Sequence, residues 1–137
     1  MTEQEYYSVQ QVTPELVFIQ WHDVPNTNDT ANHTWVDDIH HLLMNAAQPQ
    51  YFFSDVRNGH ASNLQAIRRL TQVIQHENYG GGVALGESLA SRTYVSLTIK
   101  VAGKDDDIYR DRERALSALD AFKPGISATA DWDALLG

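Results

Sequence analysis

The apolar residues of the chain form short continuous runs separated by longer stretches of helical spacing. The run Leu16–Trp21 is apolar on both faces, which is typical of a strand covered by helices on both sides. A shorter run precedes it, and turn residues around Pro14 join the two. We predict strands at residues 6–9, 16–21, 51–56, 83–86 and 107–110.

Three stretches between or after these runs predict helices. The first begins at about Thr34 and ends before Pro49. The second has Ser62 and Gln65 in the arrangement of a capping box, so we predict that Ser62 caps it. The third follows Asp111, a good capping residue. The predicted inward-facing residues are Trp35, Val36, Ile39, Leu42, Leu43 and Ala46, then Leu64, Ile67, Leu70, Thr71 and Ile74, and finally Ala115, Leu116, Leu119 and Phe122.

The stretch 88–102 fits two interpretations. Every second residue between Val95 and Val101 is apolar, which favours a half-buried strand. However, a parallel strand at 107–110 needs a long crossover after Leu85, and this stretch is the connector that the sequence offers. We favour a helix and keep the strand as the alternative.

The order of these elements predicts an α/β fold. The 137 residues fit one domain, with a mostly parallel sheet of four or five strands, about four helices and the first strand antiparallel at an edge. We assign the domain to residues 1–125 and a C-terminal tail to residues 126–137. The tail contains Trp132 and two leucines, and it could dock on its own domain, bind a partner or fray. Docking on its own domain is our first choice.

The composition excludes several functions. Ten Lys and Arg against eighteen Asp and Glu give a net charge of -8, which opposes binding to nucleic acid or anionic membranes. Neither a transmembrane run nor a secretory signal is present, so we expect a cytoplasmic protein with no transmembrane segment. The absence of cysteine excludes thiolate catalysis and cysteine-ligated metals. We predict no cofactor.

Two stretches of the sequence resemble the STAS-like family, the fold of bacterial anti-sigma-factor antagonists. Residues 51–57 (YFFSDVR) resemble the family's third strand, which ends in an aspartate. Residues 107–119 (DIYRDRERALSAL) resemble the last strand and helix of its lipid-binding-like branch. The resemblance covers residues 5–122. It implies a small non-catalytic domain that binds a protein partner or a small apolar ligand.

In signalling members of that family, a serine at the start of the helix after the third strand accepts a phosphate from a kinase. The resemblance makes Ser62 the candidate phosphoacceptor, and the helix N-terminus would favour a phosphate there. The family's Asp-Ser pair is absent, because Ala61 precedes the serine. Capping through Gln65 explains Ser62 without phosphorylation, and we favour that interpretation.

Polar residues follow several of the predicted strands and would share one edge of the sheet, where ligands of parallel sheets bind. The candidate binding rim comprises His22, Asp23, Asp55, Arg57 and His60. Ser62, one of the rim histidines and Asp23 could form a hydrolase arrangement, but the motif Gly-x-Ser-x-Gly is missing. We predict no catalytic residues and no enzyme, and a small hydrolase is the least favoured alternative.

Two further features have simple explanations. His33, Asp37 and His41 share one helical face, but that face lies opposite the apolar stripe, which predicts a solvated surface and no metal site. The run Gly80–Gly82 lacks the lysine and the following helix of a phosphate-binding loop. We interpret it as a flexible connector.

A helical 88–102 stretch would leave apolar side chains outside the core, as a surface for a partner or a lipid. The residues assigned to this surface are Leu89, Tyr94, Val95 and Leu97. We therefore predict a non-catalytic interaction or regulatory domain of a bacterial cytoplasmic protein, which binds a signalling protein or forms a homodimer. A carrier of a small apolar ligand or lipid is the alternative.

Overall fold

The computed structural model describes residues 6–88, 93 and 107–137. The strands are β1 (Tyr7–Gln11), β2 (Leu16–Trp21), β3 (Gln50–Asp55), β4 (Tyr79–Leu85) and β5 (Asp107–Tyr109). The helices are α1 (Ala31–Asn45), α2 (Leu64–Val73), α3 (Arg112–Phe122) and α4 (Trp132–Leu136), with a short 3-10 helix at Ile126–Thr129. The predicted α/β class is confirmed.

The five strands form one sheet in the order β1-β2-β3-β4-β5. The strands β2 to β5 run parallel, and β1 pairs antiparallel with β2 at the edge. This arrangement confirms the predicted mixed sheet. Because the central strands are parallel, the loops after β2, β3 and β4 leave the sheet at the same end.

The sheet separates two apolar cores, and β2 contributes to both. Ile19 and Trp21 face the core beneath α1 and α2, whereas Leu16 and Phe18 face the core beneath α3 and α4. All four side chains are buried. The apolar run in β2 was therefore a valid signal of a strand covered on both faces.

The start of the first helix differs from the prediction. The first helix begins at Ala31 rather than near Thr34, because the Asp29 carboxylate accepts a hydrogen bond from the Ala31 backbone N–H at 2.9 Å. Ala31 is also fully buried. The preceding loop therefore supports an additional turn of helix.

The interpretation of the glycine run as a flexible connector was wrong, because Gly80, Gly81 and Gly82 lie within β4. Gly81 has φ +143°, and a Cβ atom there would lie 2.3 Å from the Phe122 ring. The glycine lets α3 pack directly on the strand backbone. The predicted element at 88–102, with its residues Leu89, Tyr94, Val95 and Leu97, lies outside the described residues except for Ser88 and Thr93.

Candidate functional site

Two loops meet at the carboxyl end of the sheet. The first rim loop (residues 22–30) follows β2, and the second rim loop (residues 56–63) follows β3. A Cβ atom on Gly59 would lie 2.2 Å from the Asp23 carbonyl oxygen, so the loops approach as closely as glycine allows. The Asn63 side-chain amide donates to the Thr27 carbonyl at 2.7 Å. The two loops therefore form one packed surface.

Asp55 ends β3 and is fully buried. Its two carboxylate oxygens accept hydrogen bonds from Nε and Nη2 of Arg57, each at 2.9 Å. Gln20, its neighbour on β2, donates to Oδ2 at 3.0 Å, and the Arg57 backbone N–H donates to Oδ1 at 3.1 Å. Four donors thus surround this carboxylate.

These contacts determine the charge of the pair. Burial by itself raises the pKa of Asp55, but the hydrogen bonds from Arg57 and Gln20 outweigh it and hold the pKa below the ordinary value of 3.8. The hydrogen bond to Asp55 raises the pKa of Arg57. Both side chains are charged at neutral pH, and the pair is a structural ion pair rather than a proton donor or acceptor.

Arg57 also fixes the C-terminal segment. Its Nη2 donates to the carbonyl of Leu136 at 2.8 Å. The indole of Trp132 is buried, with its ring centroid 4.7 Å from that of Phe53, and its Nε1 donates to the Ser127 carbonyl at 2.7 Å. The tail therefore docks on its own domain, as favoured from the sequence.

Ser62 and Asn32 form the centre of the rim loops, and both are buried. The Ser62 hydroxyl donates to the Pro25 carbonyl at 2.7 Å, and the Ser62 N–H donates to Asn32 Oδ1 at 2.7 Å. The Asn32 amide nitrogen donates to the Asn26 carbonyl at 3.2 Å and lies 3.2 Å from the Ser62 Oγ. Sequence analysis missed Asn32, because a single asparagine at a helix start gives no signal of burial.

The predicted capping box was wrong. Asn63 caps α2, with its side-chain oxygen accepting from the Ala66 N–H at 3.0 Å, and Gln65 is exposed. Asparagine caps helices as well as serine does, and the chain enters the helix one residue later than predicted. For the same reason Leu64 begins the helix on the surface rather than in its buried face. Phosphorylation of Ser62 stays a prediction, and it would require the bond to Pro25 to break.

The other rim residues do not join a catalytic arrangement in the part of the chain that the structure describes. His60 is buried, and its Nδ1 donates to the Ala61 carbonyl at 2.7 Å. His22 and Asp23 are exposed, and the Asp23 carboxylate accepts from the Val24 N–H at 2.8 Å. Within residues 6–88 and 107–137 no hydrogen bond links Ser62 to a histidine. Of the five residues predicted to form the binding rim, Asp55 and Arg57 are bonded to each other, whereas His60 and Asp23 bond to the backbone of the residue that follows each of them. Ligand binding by these residues stays a prediction.

Two residues on the face of α1 that carries His33, Asp37 and His41 bind a side chain of α2. Arg69 Nη1 lies 2.8 Å from His33 Nδ1, which must accept because guanidinium only donates, and Arg69 also forms an ion pair with Asp37. His41 is exposed. Among the described residues no group of three or more potential ligands is placed to hold a metal ion.

The rim also carries exposed apolar side chains. Val24 in the first rim loop is 44% exposed, and Leu64 beside the second rim loop is 53% exposed. We call these two residues the rim patch. Met44, the remaining large exposed apolar residue of the described chain, lies near the opposite end of α1. A cavity of about 440 Å³ also lies at that end, beside Gln11, Pro14 and Gln50.

Comparison with solved structures identifies the fold. An uncharacterized protein of the DUF3478 family from Shewanella loihica PV-4, with a SpoIIAA-like fold, matches with a TM-score of 0.55. The match covers 82% of this chain and 91% of the other at 10% sequence identity. The SpoIIAA-like fold is the STAS-like fold, so the resemblance seen in the sequence is confirmed at the level of the fold. No protein-family model and no curated protein sequence matches the chain. None of the described helices is long and apolar enough to cross a bilayer.

Proposed function

We propose that this chain is a non-catalytic, STAS-like interaction domain that binds a protein partner through the rim patch. One observation carries the proposal. The buried polar groups at the rim are hydrogen-bonded within the protein, whereas Val24 in the first rim loop and Leu64 directly after the second are exposed. Ligand sites of parallel sheets lie at this end, so the patch occupies the usual position of a binding surface.

The hydrogen bonds support a non-catalytic role. A nucleophilic serine needs a base within reach, but the Ser62 hydroxyl donates to the Pro25 carbonyl. Asp55 cannot act as a general base near neutral pH, because its pKa is lowered and Arg57 occupies both of its oxygens. These groups stabilise the shape of the rim.

A regulatory role belongs to the same proposal. Ser62 precedes Asn63, the cap of the helix that begins at Leu64, and its hydroxyl binds the first rim loop, which carries Val24. A phosphate on Ser62 would break those bonds and introduce charge into a buried position. Phosphorylation would therefore displace the rim patch and weaken binding of the partner.

Affinity purification with matched variants tests the proposal. The double variant Val24→Asp, Leu64→Asp should lose a partner that the wild-type protein retains, because charge in the patch opposes apolar contact. Met44→Asp is the control, since it places the same charge on an exposed apolar position away from the rim. Retention of the same partners by the rim variant would contradict the proposal. Native mass spectra in which the purified protein carries a lipid would favour the carrier alternative.

A further inference from the structure

The second rim loop contains the dipeptide Asn58–Gly59. Asn58 is exposed and lies at a bend of the backbone, outside the strands and helices. Among residues 6–88 and 107–137, neither the Asn58 carboxamide nor the Gly59 N–H has a hydrogen-bond partner. The close approach of Gly59 to Asp23 is on the side where a Cβ atom would lie, so it does not occupy the Gly59 nitrogen. An unbonded carboxamide therefore lies next to an unbonded backbone nitrogen.

The other asparagines of the chain lack this combination. The carboxamides of four of them donate hydrogen bonds to backbone carbonyls, namely those of Asn32, Asn45, Asn63 and Asn78. Asn26 and Asn28 are exposed, but each is followed by a residue with a side chain, which hinders approach to the backbone nitrogen. Asn58 is the only asparagine of the chain that a glycine follows.

We infer that Asn58 is a site of spontaneous deamidation, which yields aspartate and isoaspartate at this position. The Gly59 nitrogen gives its proton to hydroxide and attacks the Asn58 Cγ atom. A bond forms between these two atoms, the bond from Cγ to the amide nitrogen breaks, and that nitrogen takes a proton from water and leaves as ammonia. Water then opens the resulting succinimide ring at one of its two carbonyls. Opening at one carbonyl gives aspartate, and opening at the other gives isoaspartate.

The two products differ in their effect on the rim. Aspartate keeps the original backbone, whereas isoaspartate routes the main chain through the Cβ atom of residue 58 and lengthens it by one atom. The loops have no space for this atom, because a Cβ on Gly59 would already lie 2.2 Å from the Asp23 carbonyl oxygen. Isoaspartate should therefore separate the two rim loops. The reaction itself does not depend on the rim patch or on any partner.

Incubation of the full-length protein in warm, mildly alkaline buffer tests the reaction. Ion exchange should resolve a more acidic species, because each conversion adds one negative charge to the net charge of -8. Peptide mapping should place it at position 58, at a rate several-fold above those at Asn26 and Asn28. A methyltransferase specific for isoaspartyl carboxyl groups should label this peptide. Asn58→Gln should form little acidic species, since glutamine must close a larger ring.

Hydrogen exchange tests the structural consequence. The isoaspartate form, purified from the incubated protein, should exchange faster than wild type in residues 22–30 and 56–63. The matched control Asn58→Asp, which has the added charge and a normal backbone, should exchange as wild type does. Deamidation at position 58 no faster than at Asn26 and Asn28 would overturn the assigned site. Unchanged exchange of the isoaspartate form would overturn the predicted separation of the rim loops.

Discussion

Arg57 holds the buried carboxylate of Asp55 at two points, with both N–O distances at 2.9 Å. The same guanidinium binds the Leu136 carbonyl, so one side chain connects the end of β3 to the last helix. The parallel geometry of a guanidinium and a carboxylate explains why arginine rather than lysine suits this position.

Removal of Arg57 should destabilise the fold. Arg57→Ala leaves Asp55 buried with fewer donors, and we expect the free energy of unfolding to fall by about 2 kcal/mol, since the arginine is partly exposed and Gln20 remains. Arg57→Lys should lower the free energy of unfolding by a smaller amount. Urea denaturation measures the effect, with Arg68→Ala as an exposed control. Equal stability of the two alanine variants would contradict this account.

The stability of the protein should fall in acid because of Asp55. Its pKa in the folded state lies below the ordinary value of 3.8, so the ion pair contributes fully above that value. The contribution is lost as the pH falls through the folded-state pKa. The difference in unfolding free energy between wild type and Asp55→Asn should therefore shrink between neutral pH and about pH 3. If this difference in unfolding free energy stayed constant from neutral pH to about pH 3, the assigned role of Asp55 would be contradicted.

The pair Asn32–Ser62 should matter for stability. Asn32→Ala removes the acceptor of the buried Ser62 N–H and the amide that donates to the Asn26 carbonyl, and we expect the free energy of unfolding to fall by about 3 kcal/mol. Ser62→Ala should lower the free energy of unfolding by about 1 kcal/mol, because it removes the hydroxyl that donates to the Pro25 carbonyl. Thermal unfolding of both variants measures these losses of stability, and Ser117→Ala, at an exposed position, is the control.

Charge at Ser62 should be more disruptive than loss of the hydroxyl. Ser62→Asp places a carboxylate beside the Pro25 carbonyl and Asn32 Oδ1, so we expect a lower melting temperature than for Ser62→Ala. Hydrogen exchange should locate the change in the two rim loops. A Ser62→Asp protein as stable as wild type would argue against the proposed effect of phosphorylation.

The C-terminal helix should behave as part of the core. Trp132 packs against the rings of Phe18 and Phe53, so Trp132→Ala should lower the free energy of unfolding by about 4 kcal/mol. Trp132→Phe keeps most of the contact and loses the bond to Ser127, and it should cost less. Similar losses for the two variants would mean that the ring contacts contribute little.

The sequence predicts the elements of this fold better than their ends. The run at Leu16–Trp21 identifies a strand because burial on both faces leaves a continuous apolar signal. The cap of α2 was misplaced, because Ser62 and Asn63 are both good caps and their difference arises from tertiary bonds to Pro25 and Thr27. The glycines of β4 were misread, because their role depends on Phe122, which is distant in sequence.

The candidate site was predicted only in part. The aspartate at the end of β3 and the following arginine were singled out, since residues after parallel strands gather at one edge. The sequence could not indicate that Arg57 would bind Leu136 or that Asn32 would be buried, because both contacts depend on how the loops close. The exposure of Leu64 was also missed, because it fits the helical apolar stripe.

Site-specific photo-crosslinking tests the central claim most directly. A photoreactive side chain at position 64 should give a discrete adduct with one protein partner in living cells, and the same group at position 44 should not. The adduct at position 64 should disappear when Val24 is replaced by Asp. Equal crosslinking at both positions, or none at position 64, would contradict a protein-binding surface at the rim patch.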